Sequence, residues 1–177
     1  MPKRSIYYKG RGQVLRMYLL DTNHCSRLID GHPNIIKKFT QLGDAPIATC
    51  VIVQGELMFM VWKSERKAEN LSNIKAFLNN IEVLPVNNVV ADIYGKLKAA
   101  IIDRFGPKEK AKRRKAEIEK LGFKENDLWI AAVAKSNGFT IVSADNDFDR
   151  IKEVDDLRVE SWLPPEKEEY DNNENNQ

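Results

Sequence analysis

Met17-Tyr18-Leu19-Leu20-Asp21-Thr22-Asn23 is the stretch on which the fold turns. Four apolar residues run into an acid, and two helix-capping residue types follow. A short uninterrupted apolar run reads as a strand buried on both faces, here with Asp21 at its carboxyl end. Thr22 or Asn23 then caps a short helix to Ile29, closed by Gly31 and Pro33. The same grammar recurs downstream. Residues 46–50, 81–84 and 139–143 read as strands, with 157–162 as a last edge strand. Between them, 34–42, 51–62, 65–80, 89–105 and 126–137 read as helices, several closed by Gly or Gly-Pro. Alternating strands and helices predict an α/β fold with a parallel sheet covered on both faces. In such sheets ligands bind outside the carboxyl ends of the strands.

Outside this core pattern the chain is uneven in charge. Its 177 residues suit a single domain, and 42% apolar with 31% charged residues is ordinary for a globular protein. The longest apolar stretch, Ala45 to Trp62, is broken by Gln54, Gly55 and Glu56, too soon for a membrane span, and no signal-peptide core opens the chain. Two cysteines, Cys25 and Cys50, make no disulfide framework and fit a reducing cytoplasm as small core residues. Two histidines, His24 and His32, argue against zinc and against His-pair nuclease chemistry; His24, close to Asp21, reads as structural. The net charge of +2 hides a +5 segment over 1–16, a +4 segment over 103–120 and a −4 tail over 164–177. The expected division is therefore a basic extension (1–16), one folded domain (17–163) and an acidic, disordered tail (164–177).

Four acids stand where acids are expensive. Asp21 and Asp145 each follow an apolar strand, on the same rim of the sheet. Glu56 has Ile52, Val53, Phe59 and Met60 at helical spacing; a helix so apolar reads as buried, and a carboxylate on it must be paired, protonated or metal-bound. Asp127 opens the helix that runs Leu128-Trp129-Ile130-Ala131-Ala132-Val133, where a helix N-terminus favours negative charge. Each has a bland reading: a cap for Asp21 and Asp127, turn chemistry for Asp145-Asn146-Asp147, a structural ion pair for Glu56. Their joint delivery by two strand ends and two helices is what points to a site.

Carboxylates about 5 Å apart repel by roughly 3 kcal/mol per pair at an effective dielectric of about 20. Without a cation some of them must protonate; a hard divalent ion removes the conflict, and an all-oxygen set suits Mg²⁺ or Mn²⁺. Such a site supports phosphodiester hydrolysis with no histidine or lysine. This reading expects the acids to share one hollow, with no internal lysine or arginine neutralising the principal ones.

The same residues resemble a known family. Leu19-Leu20-Asp21-Thr22-Asn23, Glu56-Leu57, Asn126-Asp127 with Ile130-Ala131-Ala132, and Val142-Ser143-Ala144-Asp145 with Asp147-Phe148 are similar to the PIN domain, in particular to VapC-type toxins of bacterial toxin–antitoxin pairs. The resemblance spans about 17–163. It implies a small three-layer α/β/α sandwich with a mainly parallel central sheet, and a Mg²⁺- or Mn²⁺-dependent endoribonuclease; cleavage by metal-bound water would leave 5′-phosphate and 3′-hydroxyl ends. It assigns Asp21, Glu56, Asp127 and Asp145 to the acidic site. Asp21 and Asp127 stand as direct metal ligands, Glu56 and Asp145 as further candidates, and Asn23, Ser143 and Asp147 as supporting residues. It further implies an RNA substrate (transfer or ribosomal), a cognate antitoxin over the acidic pocket, and often a homodimer. The run Leu57-Met58-Phe59-Met60 departs from the family's usual glycine after the helix glutamate.

The basic segment reads first as a solvated, charge-rich helix and second as a phosphate-contacting edge, with Lys110, Lys112, Arg113 and Arg114 as RNA contacts. Two rival classes remain at this stage. One is a catalytically silent PIN-like RNA-binding module. The other is a phosphate-receiver signalling domain, which wants adjacent acids after the first strand and gives Glu56 no role.

Overall fold

Tyr18, Leu19 and Leu20 form the middle strand of a five-stranded sheet whose pairs are all parallel. The computed structural model of the chain describes residues 8–9, 13–14 and 16–163. In chain order its elements are β1 (Tyr8–Lys9), β2 (Gln13–Val14), β3 (Tyr18–Leu20), α1 (Thr22–Ile29), α2 (Pro33–Gln41), β4 (Ile47–Cys50), α3 (Val51–Lys63), α4 (Lys67–Leu78), β5 (Glu82–Leu84), α5 (Asn88–Phe105), α6 (Lys110–Arg113), a 3-10 turn (Glu119–Leu121), α7 (Glu125–Asn137), β6 (Thr140–Val142), α8 (Asn146–Lys152) and β7 (Val159–Glu160). β1 and β2 pair antiparallel as a separate two-stranded ribbon within the expected extension. The expected acidic tail lies outside the described residues.

The sheet runs β5-β4-β3-β6-β7. Chain order thus steps outward from β3 to β5, then returns to the other side of β3 for β6 and β7. The reversal falls between β3 and β6, the switch point at which an open α/β sheet leaves a crevice outside its strand ends. Register there is tight: Leu20 lies opposite Val142, and the Asp21 N–H donates to the Val142 carbonyl at 3.1 Å. Asp21 and Ser143 therefore emerge side by side. All three residues of β3 and of β6 are buried, so both sheet faces are covered and the three-layer arrangement follows. Leu19, Leu20, Ile141, Val142, Leu57 and Leu128 form part of the core, each worth about 1.5–3 kcal/mol on burial.

Three local readings change. The Asp145-Asn146-Asp147 turn begins a true helix, α8, with Asp145 as its cap. The predicted helix over 51–62 is present, but only the Val53, Leu57 and Val61 stripe is buried, while Phe59 and Trp62 are more than 60% exposed. α3 packs on α1, α4, α7 and the adjoining strands, while Phe59, Met60 and Trp62 face outward, and apolarity alone did not distinguish the two sides. The basic segment is one helical turn, α6, followed by the 3-10 turn, in place of a continuous helix. Six of the eight residues 108–115 are lysine or arginine, and such like charges oppose helix growth.

Candidate active site

Asp21 is only 4% exposed, and every oxygen it presents is engaged. As the cap of α1 it accepts the His24 main-chain N–H at 2.7 Å, and the same oxygen lies 2.9 Å from His24 Nδ1. The other oxygen accepts the Ser143 hydroxyl at 2.5 Å, and Ser143 Oγ accepts the Asp145 N–H at 3.0 Å. Ser143 thus ties the end of β3 to the loop after β6. His24 is fully buried, and its Nε2 faces the Trp162 N–H at 3.4 Å. A proton on Nδ1 and a lone pair on Nε2 satisfy both contacts.

Glu56 is half-buried and, among the described residues, is held by two hydrogen bonds. Thr22 Oγ1 donates to one carboxylate oxygen, and Asn126 Nδ2 donates to the other at 2.6 Å. Asn126 precedes Asp127 in the first turn of α7, so this bond couples α3 to α7 at the site.

Asp127 differs from the rest. It is 8% exposed, and its Oδ2 is buried with no hydrogen-bond partner among the described residues. Burial pushes its carboxyl up to about 7; the Lys124 charge pulls it down, while Asp145, Asp147 and Glu56 push it further up. Asp127, Asp145 and Asp147 each offer an oxygen, all within 4.8 Å of one another. An unpartnered buried carboxylate oxygen among other carboxylates is the donor set of a hard divalent ion.

Lys124 corrects the expectation that no internal base reaches the principal acids. Its ammonium hydrogen-bonds Asp145 Oδ2 and stands 3.9 Å from Asp127 Oδ2. Burial raises the Asp145 carboxyl, but the Lys124 hydrogen bond, the Asp147 N–H and the lysine charge outweigh it and hold the group below its ordinary value. Lys124 is itself raised, chiefly by its bond to Asp145. One acid is thereby neutralised; Asp127 Oδ2 lies at the edge of ion-pair reach of the same ammonium and accepts no hydrogen bond among the described residues. The site opens into a cleft of about 610 Å³ lined by Glu56, Lys124, Asn126 and Asp147, a size suited to a small ligand or part of a larger one. Asn23 lies on a neighbouring cleft with Ser143 and Asp145.

A family model described as PIN domain matches residues 18–154. The chain belongs to the PIN-domain family. Ribonuclease VapC2 of Rickettsia felis is 30% identical over 150 residues, covering 82% of this chain and 98% of that protein, which puts the chain among VapC-type PIN proteins. The tRNA(fMet)-specific endonuclease VapC of Shigella flexneri is 26% identical over 145 residues, covering 82% of this chain and 97% of that protein. Among solved structures, VapBC2 from Rickettsia felis bound to a promoter DNA fragment aligns with TM-score 0.66 and 26% identity over 83% of this chain and 99% of that one. DNA-bound VapBC from Salmonella typhimurium aligns with TM-score 0.65 at 23% identity over 84% and 100% of the two chains, a likeness of fold.

Within this PIN chain the structure gathers Asp127, Asp145 and Asp147 most tightly, with Glu56 close enough to raise Asp127. Asp21 reaches the group through Ser143. Of the basic residues proposed to contact RNA, Arg113 is engaged by the Pro107 and Lys108 carbonyls and Asp103, and Lys112 pairs with Glu109. Lys110 and Arg114 are exposed. Sequence reasoning missed Lys124, Thr22 and Asn126 as partners of the acids, and Arg150, which fixes the approach to α7. The spacing of Lys124 three residues before Asp127 was the available signal. Cys25 and Cys50 are buried, and burial pushes both thiols up, so neither is a nucleophile.

Proposed function

We propose that this chain is a divalent-ion-dependent endoribonuclease and the toxin of a toxin–antitoxin pair. The observation that carries the reading is the buried Asp127 oxygen, without a hydrogen bond among the described residues, beside Asp145 and Asp147, in a PIN chain related to proteins named VapC ribonucleases. Asp127 and Asp21 are the proposed ligands of Mg²⁺ or Mn²⁺, with Asp145, Asp147 and Glu56 completing the negative surround. When bound, the ion lowers the pKa of water and neutralises phosphate charge. The chain's own residues have separate tasks. Thr22 and Asn126 orient Glu56, so that one carboxylate face stays fixed toward the cleft. His24 and Ser143 fix Asp21 in one rotamer. Asp145 accepts the α8 N-terminal N–H and so is held at the rim.

A transfer RNA is the favoured substrate class, supported by relatives named tRNA(fMet)-specific endonucleases; ribosomal RNA is the other candidate. An antitoxin over the acidic cleft is supported by the solved VapBC assemblies, and we include a homodimer in the proposal. An RNA substrate and two free buried cysteines fit a cytoplasmic setting; no described helix is long and apolar enough to cross a membrane. The test is incubation of the purified chain with total RNA and Mg²⁺, Mn²⁺ or EDTA, followed by sequencing of the new ends. Cleavage with either ion, 5′-phosphate ends and loss of cutting in EDTA are expected. RNA retained uncut under every condition would instead identify a silent binding module.

A further inference from the structure

We propose that the Lys124 ammonium takes the second cation position of the acidic site, so that the site accepts a single divalent ion, on the Asp127 side. The inference rests on the divalent-ion reading above. It starts from which oxygens are open. Asp145 Oδ2 accepts from Lys124, and its Oδ1 accepts the Asp147 N–H at 3.0 Å. Asp147 Oδ1 faces Arg150 at 3.4 Å. Asp127 Oδ2 alone of these is buried without a hydrogen-bond partner among the described residues. Two of the three carboxylates are thus held by fixed cations, and the third, Asp127, keeps a buried oxygen with no hydrogen bond among the described residues. A divalent ion on the Asp127 side meets that oxygen; a second would have to displace Lys124 from Asp145 or sit beside an ammonium that repels it.

Lys124 is not placed there by a loose side chain. It is the N-cap residue of α7, and its carbonyl accepts the Asp127 N–H at 3.1 Å. The turn before it is pinned from α8: Arg150 donates to the Leu121 and Gly122 carbonyls, both at 2.8 Å, and lies 3.8 Å from the centre of the Phe123 ring. Phe123 is buried, and Gly122 takes a φ of +78°, a conformation that favours glycine. The backbone thus carries Lys124 to the acids, and its stem has a short way to go.

The experiment is Mn²⁺ titration of the full chain, followed by electron paramagnetic resonance of free Mn²⁺ and by calorimetry, on wild type, Lys124→Gln, Lys124→Arg and Asp127→Asn. Wild type is expected to bind one Mn²⁺ per chain, and Asp127→Asn to lose it. Lys124→Gln is expected to gain a second ion, or to bind the first roughly five- to tenfold tighter, the size of a lost, partly exposed charge interaction. Lys124→Arg keeps the charge and is expected to match wild type. Two ions on wild type overturn the proposal whether or not the Gln variant folds, as does a Gln variant unchanged in both number and affinity. If wild type binds no Mn²⁺ at all, the divalent-ion reading itself falls.

Discussion

Asp127 is the residue at which burial and chemistry pull hardest against each other. Its folded carboxyl is pushed up to about 7, above the ordinary 3.8, first by burial. The folded chain therefore binds that proton more tightly than the unfolded chain. Its contribution to stability is complete below about pH 4 and is lost as pH rises toward 7. Metal-free protein should lose melting temperature over that window, and Asp127→Asn should flatten the loss. Asp145 runs the opposite way but in a separate window: its lowered group contributes above the ordinary carboxylate value and loses that contribution in acid. Ion binding must displace the Asp127 proton, so Mn²⁺ affinity should rise by up to about tenfold per pH unit below 7 and level off above it; a pH-independent affinity would contradict the assignment. At His24, replacement by Leu should lower turnover at least about tenfold by freeing Asp21 to rotate, with Asn, which keeps a donor near the Nδ1 position, recovering part of it; equal turnover in Leu and wild type would make His24 merely structural. At this scale the four acids stood out because each ends, interrupts or opens an apolar run. Lys124 was not, because where a four-carbon stem ends depends on the turn behind it, which neither periodicity nor charge counting describes.

Among the elements, the turn into α7 and the short α8 act together. Arg150 on α8 holds two carbonyls and stacks on Phe123, so it sets where α7 begins. Arg150→Leu should cost about 2 kcal/mol, the loss of charge-assisted hydrogen bonds at a partly exposed site, with a matching drop in melting temperature and in turnover. A variant as stable as wild type would mean that the turn holds itself. α8 escaped the sequence reading because Asp145-Asn146-Asp147 satisfies turn chemistry and helix capping equally, and seven residues carry too little periodicity to decide. α3 was legible as a helix and misread as buried: Phe59, Met60 and Trp62 look like core in one dimension and face outward in three. Long helices such as α5 and α7 were readable at both ends, where Gly106-Pro107 and Gly138 stop them.

Across the whole molecule, the order β5-β4-β3-β6-β7 turns distant sequence into one rim. The sheet and its parallel sense follow from alternation of strands and helices. Strand order does not, since nothing in the residues of 140–142 states that they lie beside 18–20. The site's place at the switch between β3 and β6 is a consequence of that order. The basic stretch at 103–120 belongs to this scale too, as the segment proposed to contact RNA. Replacing Lys110, Lys112 and Arg114 with Gln should weaken RNA binding uniformly and flatten the salt dependence by about 2 in log–log slope, near 0.7 per cation on single strands; an unchanged slope would leave the segment a solvated surface. The most direct test of the account is cleavage of RNA by wild type and Asp127→Asn in saturating Mg²⁺, with RNA binding and melting temperature measured alongside. The account predicts that the variant stays folded, keeps its affinity for RNA and cuts at least about a hundredfold more slowly; a folded variant that cuts at the wild-type rate would contradict it.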